Sequence, residues 1–225
     1  MRISRDKLIR FYDERVRDEG RGSDVASITS LWGEDLILAV LQFFWRKEEG
    51  ASSQILSYSC STGKKSGPRL DAWILKTDSA QNKTLYQVEV KNWCAYSFGG
   101  QHLPLNASED QLLKCSQNEW SYYFGQEVIP TKLVSKVMET MKQPLGYEEI
   151  PATPLLCFWF LITEQLGKHF SQKCYANGRA VHVFSASSYL RSLRESHIDV
   201  DMPRAERRLR LLTDMVSPET THLGH

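Results

Sequence analysis

The chain has 225 residues, of which 41% are hydrophobic and 24% are charged, and its formal net charge at pH 7 is +1. The length and composition predict one globular domain with ample apolar residues for a core, although two small domains would also fit. The near-neutral charge excludes a global electrostatic field as the means of holding nucleic acid, so such a partner would need local basic patches and a metal ion.

The first part of the chain, residues 1–25, is predicted to be a helical extension, because charges of both signs accompany only a weak apolar stripe. No apolar signal core follows the charged start, and we find no run of about 20 apolar residues that would predict a membrane span. The five cysteines form no Cys-x-x-Cys pair, which favours buried reduced thiols over zinc or disulfides. We therefore expect a cytoplasmic protein with no membrane partner.

Residues 31–47 predict a strong helix with Ser30 as its N-cap. Glu34 falls on the same helical face as three large apolar residues, and Asp35 falls on the polar face beside it. Because an unpaired carboxylate on a buried face is costly, Glu34 should have a partner. The alternative is that backbone N–H groups at the positive end of the helix dipole satisfy Glu34.

The segment after this helix predicts an edge strand over residues 54–59 and a basic loop over residues 61–67. Lys64 and Lys65 lie in the loop, and Arg69 follows it. Lysine and arginine side chains commonly contact phosphate oxygens, so these three residues are candidates for binding a nucleic-acid backbone. The alternative is a solvated loop with no ligand.

Two strands joined by a polar turn, residues 69–76 and 84–93, are predicted from alternating apolar and polar residues. Folding this hairpin about the middle of its turn places Asp71 opposite Glu89, with their Cβ atoms about 4.5–5.5 Å apart. The strand period of two places Lys91 on the same face as Glu89.

This patch brings two carboxylates and an ammonium group together among large apolar residues. Two carboxylates this close are unfavourable unless a cation lies between them or one is protonated, and a divalent metal such as Mg²⁺ resolves the conflict. The alternative is an amphipathic surface hairpin whose Glu89–Lys91 pair contributes little.

Pro68, Asp71, Glu89 and Lys91 together resemble the PD-(D/E)xK nuclease superfamily, which has the restriction-endonuclease-like fold. The resemblance covers a short part of the chain, and Pro68 departs from the usual pattern because it lies three residues before the aspartate. It implies a metal-dependent hydrolysis of phosphodiester bonds.

In such a site the metal would be Mg²⁺, with Mn²⁺ as a substitute. The resemblance implies that Asp71 and Glu89 bind it, that the Val90 backbone carbonyl adds a ligand, and that Glu34 completes or tunes the shell. Lys91 would orient or deprotonate the attacking water and offset the charge of the phosphate.

The rest of the chain predicts helices and two buried strands. A helix over residues 108–124 is capped by Ser108. In similar nucleases the helix after the Glu-x-Lys strand often sends a polar residue towards the site, which makes Gln111 and Gln117 candidates, with Gln111 expected to bind nucleic acid. A further helix is predicted over 131–142. Strands are predicted over 155–162 and 180–185, connected through a helical or irregular segment over 164–177, and the second strand is followed by a helix.

The last region, residues 201–225, is predicted to be a basic helix from Pro203 to Met215 and a tail. Residues 1–225 would form a single nuclease-like domain of the α/β class, with a mixed central sheet flanked by helices and a restriction-endonuclease-like core.

The leading hypothesis is thus a metal-dependent nuclease that acts on DNA, with RNA as the alternative substrate. Cutting both strands of a duplex would favour a homodimer, a larger nuclease complex is a further option, and a role in defence follows from the resemblance alone. A second hypothesis is a catalytically inactive nuclease-fold module that binds nucleic acid or a protein partner. A third is an α/β binding protein in which Glu89 and Lys91 are only surface residues.

Overall fold

The structure is a computed structural model that describes residues 1–14, 22–64, 67–94, 103, 107–162 and 169–216. Its strands are β1 (Arg2–Ser4), β2 (Ser52–Ser61), β3 (Arg69–Thr77), β4 (Lys83–Lys91), β5 (Ala152–Phe158), β6 (Phe170–Cys174), β7 (Ala180–Ser185) and β8 (His197–Asp199). Its α-helices are α1 (Arg5–Ile9), α2 (Gly22–Glu48), α3 (Glu109–Phe124), α4 (Lys132–Val137), α5 (Ala186–Ser192) and α6 (Pro203–Val216), and a π-helical turn over Arg10–Glu14 follows α1.

The centre of the fold is a six-stranded mixed sheet in the order β2-β3-β4-β5-β7-β6. Strands β2, β3 and β4 are antiparallel, β4 pairs with β5 and β5 with β7 in parallel, and β6 runs antiparallel to β7. The apolar run from Leu155 to Leu161 is fully buried, and β5, which is covered on both faces, contains its first part and ends at Phe158, before the predicted strand end at residue 162. The predicted α/β architecture with a mixed central sheet flanked by helices is confirmed.

Helices cover both faces of this sheet. On one face lies α2, where Trp45 stacks on Tyr86 of β4 with ring centroids 5.2 Å apart. On the other face lies α3, where Phe124 meets Phe158 of β5 edge to face at 6.2 Å, and α4 packs beside it against β4 and β5. Because Glu89 alternates with Val88 and Val90 along β4, its side chain lies on the α3 and α4 face.

Helix α2 differs from its prediction at its start. It begins at Gly22, and Ser30 is inside it, where its hydroxyl donates to the Ser27 carbonyl at 2.7 Å and caps nothing. The stretch Ser27–Glu48 is also long and apolar enough to cross a membrane by length and composition, contrary to our expectation that the chain has no such run, and half of its most apolar window is buried inside the fold.

The helix predicted over 131–142 is shorter than expected, because α4 ends at Val137. The segment predicted as helical or irregular over 164–177 contains the edge strand β6. These two predictions were wrong because each element is decided by contacts with distant residues. The hairpin strands, β7, α3 with its Ser108 cap, and α6 lie within a residue or two of their predictions.

The chain start is more closely attached to the domain than a helical extension over 1–25 suggests. Strand β1 pairs antiparallel with β8, and Tyr12, which is 2% exposed, stacks on Trp159 at 3.9 Å. Residues 15–21 of this predicted extension, and 217–225 of the predicted C-terminal tail, lie outside the described residues.

Candidate active site

The register of the β3–β4 hairpin follows from its turn. The Asp78 carboxylate accepts the backbone N–H groups of Ala80 and Asn82 at 2.9 and 2.8 Å, an arrangement typical of aspartate in turns. The strands then pair symmetrically about Ala80, from Thr77 opposite Lys83 to Ala72 opposite Val88. Continuing this register by one residue places Asp71 opposite Glu89. The predicted register of the hairpin is therefore confirmed.

Asp71 lies where the ladder between the two strands ends. Its Oδ2 accepts the backbone N–H of Val90 at 2.6 Å. This bond to a side chain takes the place of a backbone hydrogen bond between the two strands. Burial, together with the negative charges of Glu89 and Glu34, raises the pKa of Asp71 from 3.8 to about 6, against the opposing effects of the Val90 N–H and Lys91. The ligand role predicted for the Val90 carbonyl stays a prediction.

Glu89 is the most buried charged group of the site. Its side chain is only 2% exposed, and one of its oxygens, Oε1, accepts from Lys91 Nζ at 2.6 Å and from Lys136 Nζ at 2.7 Å. The other oxygen, Oε2, is buried and has no hydrogen-bond partner among the described residues. A buried carboxylate of this kind requires compensating charge, and the two ammonium groups supply it.

Lys136 is the site residue that sequence reasoning missed. It lies on α4, which Gln87 holds against the sheet: Gln87 Nε2 donates to the carbonyls of Val137 and Glu139, the latter at 2.7 Å. Gln87 lies two residues before Glu89 and therefore on the same face of β4. No local pattern identifies Lys136, because it meets Glu89 through tertiary contacts between segments 47 residues apart.

Glu34 does not lie on a buried face, contrary to our prediction. It is exposed, and the adjacent Asp35 is the buried acid, with a side chain 2% exposed between Arg204 and Arg208 of α6 at 3.4 and 3.3 Å. Burial raises the pKa of Asp35, and the two arginines oppose this effect. The prediction was wrong because helical periodicity alone does not reveal that α6 covers the Asp35 side of α2.

Glu34 nevertheless lies near the end of the hairpin, close enough for its charge to raise the pKa of Asp71. A close approach between α2 and the residues after β4 makes this possible. Gly33 faces the Asn92 side chain, which an added Cβ would overlap, and Asn92 Nδ2 donates to the Thr29 carbonyl at 3.1 Å. Glycine at this position thus lets α2 approach the carboxyl end of β4.

The residues predicted to bind nucleic acid are placed unequally. Lys64 and Arg69 are exposed, and Lys65 lies outside the described residues. Gln111 is exposed at the start of α3, where its Oε1 accepts the Ser108 N–H at 2.8 Å in a capping box. That bond holds the Gln111 side chain at the helix start, which weakens the prediction that it reaches a ligand.

The type and number of ligand atoms at the site determine which metal ion it could hold. In the part of the chain that the structure describes, no group of three or more histidine, cysteine, aspartate or glutamate side chains is close enough to hold a metal ion. Asp71 and Glu89 form a pair, and one oxygen of that pair is buried without a partner. Mg²⁺ is commonly held through one or two carboxylates, with water and substrate phosphate completing its shell, so these residues fit it.

The electrostatics support the same fit. Burial, followed by the charges of Glu89 and Glu34, raises the pKa of Asp71, so its ionised form is disfavoured and would be stabilised by a positive charge. A divalent cation next to Asp71 would supply that charge.

We compared the chain with protein-family models, with curated proteins and with solved structures, and none of them matches it.

Proposed function

We propose that this protein is a metal-dependent nuclease that hydrolyses phosphodiester bonds, with DNA as its substrate, on a restriction-endonuclease-like core. The observation that carries the proposal is the hairpin register, which brings Asp71 opposite Glu89, together with the contact of Lys91 with the Glu89 carboxylate on the same strand. A hairpin with only a structural role would not be stabilised by two acids that are partly or fully buried and that repel each other.

Each of the acidic and basic residues of the site would have its own role in hydrolysis. Asp71 and Glu89 would hold Mg²⁺, which when bound polarises the phosphate and activates water. Lys91 brings a positive charge to the same point and, when released from Glu89, can orient the water or stabilise the charge that develops on the phosphate. Glu34, from the opposite face of the sheet, adds a negative charge at the edge of the site.

The substrate would approach from the open end of the hairpin. Arg69 is at the first residue of β3, two residues before Asp71, and it is exposed. Lys64 is exposed in the loop before it. Both are in position for contacts with a nucleic-acid backbone, which fix the register of a substrate without reading its sequence. A homodimer would place two such sites on one duplex.

The test is cleavage of circular duplex DNA and of circular single-stranded DNA by purified protein in Mg²⁺, in Mn²⁺ and in chelator. Lys91→Ala removes one of the two ammonium groups at Glu89, and Lys83→Ala removes one at the other end of β4, roughly 26 Å away at about 3.3 Å per residue. We expect nicking that requires the metal and that falls about 10²-fold or more in Lys91→Ala while Lys83→Ala retains it.

The other hypotheses give different results in the same assay. Binding of DNA without cleavage, unchanged by Lys91→Ala, would contradict the nuclease proposal and indicate an inactive binding module. Neither binding nor cleavage of DNA or RNA would leave an α/β protein that does not act on nucleic acid.

A further inference from the structure

Lys136, the second lysine that contacts Glu89, has no part in the reaction proposed above. Lys136 Nζ and Lys91 Nζ contact the same oxygen atom of Glu89, at 2.7 and 2.6 Å. One carboxylate balances one ammonium group, so Glu89 by itself leaves one of the two in excess, and ionised Asp71 is the acid that balances it. The excess is held in place, because Gln87 fixes the end of α4 to the strand that carries Glu89.

The side chain of Lys136 is also the more accessible of the two. It is 33% exposed, against 22% for Lys91 and 2% for Glu89. An ammonium group at the boundary of a buried carboxylate and solvent can exchange one oxygen ligand for another by rotation of a flexible side chain. A phosphate that enters the site from solvent therefore meets Lys136 without any movement of α4.

The charges of the site indicate when this exchange would occur. Asp71 and Glu89 together balance Lys91 and Lys136, so the four groups are neutral when both acids are ionised. A divalent cation on the carboxylates gives the four groups a surplus of two positive charges and repels the ammonium groups from Glu89. A phosphodiester carries one negative charge and gains a second when the attacking water gives up a proton to the solvent, which matches that surplus.

We propose that Lys136 is a second phosphate-binding catalytic residue, which leaves Glu89 when a divalent cation binds and contacts the phosphodiester at the site of cleavage. This proposal rests on the proposed nuclease function. It assigns to α4 a direct part in substrate binding, and it makes that part dependent on the metal.

The variants are Lys136→Met, which keeps the aliphatic length, Lys136→Arg, which keeps the charge, and Lys83→Met as a matched loss of charge at the far end of β4. Lys136→Met leaves Lys91 as the partner of Glu89, so we expect it to fold, and a thermal melt followed by circular dichroism checks this. The first measurement is the rate of DNA cleavage in Mg²⁺. We expect about a 10²-fold loss in Lys136→Met, little change in Lys83→Met, and partial activity in Lys136→Arg.

The second measurement does not depend on cleavage. Affinity for a short duplex is measured over a range of salt concentrations, once with Ca²⁺ as the divalent ion and once with chelator. Loss of one phosphate contact lowers the slope of log affinity against log salt by about 0.9. We expect that decrease for Lys136→Met with Ca²⁺ and not with chelator, where Lys136 stays on Glu89. Lys83→Met should match the wild type in both conditions.

The outcomes separate this proposal from the nuclease proposal. If the wild type cleaves DNA and Lys136→Met matches Lys83→Met in rate and in salt slope, Lys136 has no contact with phosphate and only the present inference is overturned. If the wild type never cleaves but the Ca²⁺-dependent slope changes in Lys136→Met, the phosphate contact stands and the nuclease proposal fails. If the protein neither cleaves nor binds nucleic acid, both are overturned.

Discussion

Asp71 provides the sharpest test of the site, because the structure predicts that it lowers the stability of the fold. Its pKa is raised from 3.8 to about 6 by burial and by the charges of Glu89 and Glu34. At about 1.4 kcal/mol for each pH unit, this difference corresponds to about 3 kcal/mol of unfolding free energy that is lost when Asp71 ionises. Replacing it with asparagine removes the charge and keeps an oxygen for the Val90 N–H.

The sign of the pH dependence follows from the direction of the pKa change. Between pH 4 and pH 6 the folded chain binds a proton at Asp71 that the unfolded chain releases, so this residue lowers the unfolding free energy as the pH rises. Below about pH 4 both states are protonated and the effect vanishes. We therefore expect Asp71→Asn to be more stable than the wild type by up to about 3 kcal/mol at pH 7.5, and equal to it near pH 3.5.

Urea unfolding of both proteins in chelator, followed by tryptophan fluorescence at several pH values, measures this difference. The variant should also lose cleavage at every pH, whereas wild-type cleavage at sub-saturating Mg²⁺ should rise through about pH 6 as Asp71 ionises. A divalent ion should stabilise the wild type by mass action and leave Asp71→Asn largely unchanged. A variant that is less stable than the wild type at pH 7.5, or a stability difference that is the same at pH 3.5, would refute this reasoning.

Two further predictions concern the elements that hold the site together. Gln87→Met removes the donor to two backbone carbonyls at the end of α4, so we expect a loss of about 1–3 kcal/mol in urea unfolding and lower cleavage, while a Lys83→Met control keeps both. Replacing Arg204 and Arg208 together with methionine leaves the buried Asp35 without its cations, which should cost about 3–5 kcal/mol at pH 7.5. This cost should decrease at acid pH as Asp35 takes up a proton, and a loss that does not depend on pH would contradict that explanation.

The parts of the site that the sequence predicts are those decided within one hairpin. The alternation of apolar and polar residues identifies β3 and β4, and the turn around Asp78 determines which residues pair. Strand period then places Lys91 beside Glu89, as the 2.6 Å contact shows. Each of these steps depends on residues fewer than 20 positions apart, so local rules suffice.

The features of the site that the sequence does not predict depend on contacts between distant segments. Lys136 reaches Glu89 across 47 residues, and Asp35 is buried only because α6 covers it from 173 residues away. Helical periodicity predicted that Glu34 is the buried acid, since the apolar residues one and two turns along the helix favour that face. The opposite result required knowledge of which helix packs on α2.

Asp71 and Glu89 differ in how far their charges are compensated, and this difference would suit the metal site that we propose. Glu89 is buried between two lysines that compensate its charge before any ligand arrives, so its position is fixed. Asp71 accepts one backbone N–H, and its raised pKa shows that this does not offset burial and the nearby negative charges. In the proposed nuclease, the free energy gained by a divalent ion would therefore come mainly from Asp71, while Glu89 would supply a fixed oxygen and release ammonium groups for the substrate. Because a bound cation would relieve the penalty that Asp71 has when ionised, the same burial that destabilises the fold at neutral pH would strengthen binding of the ion.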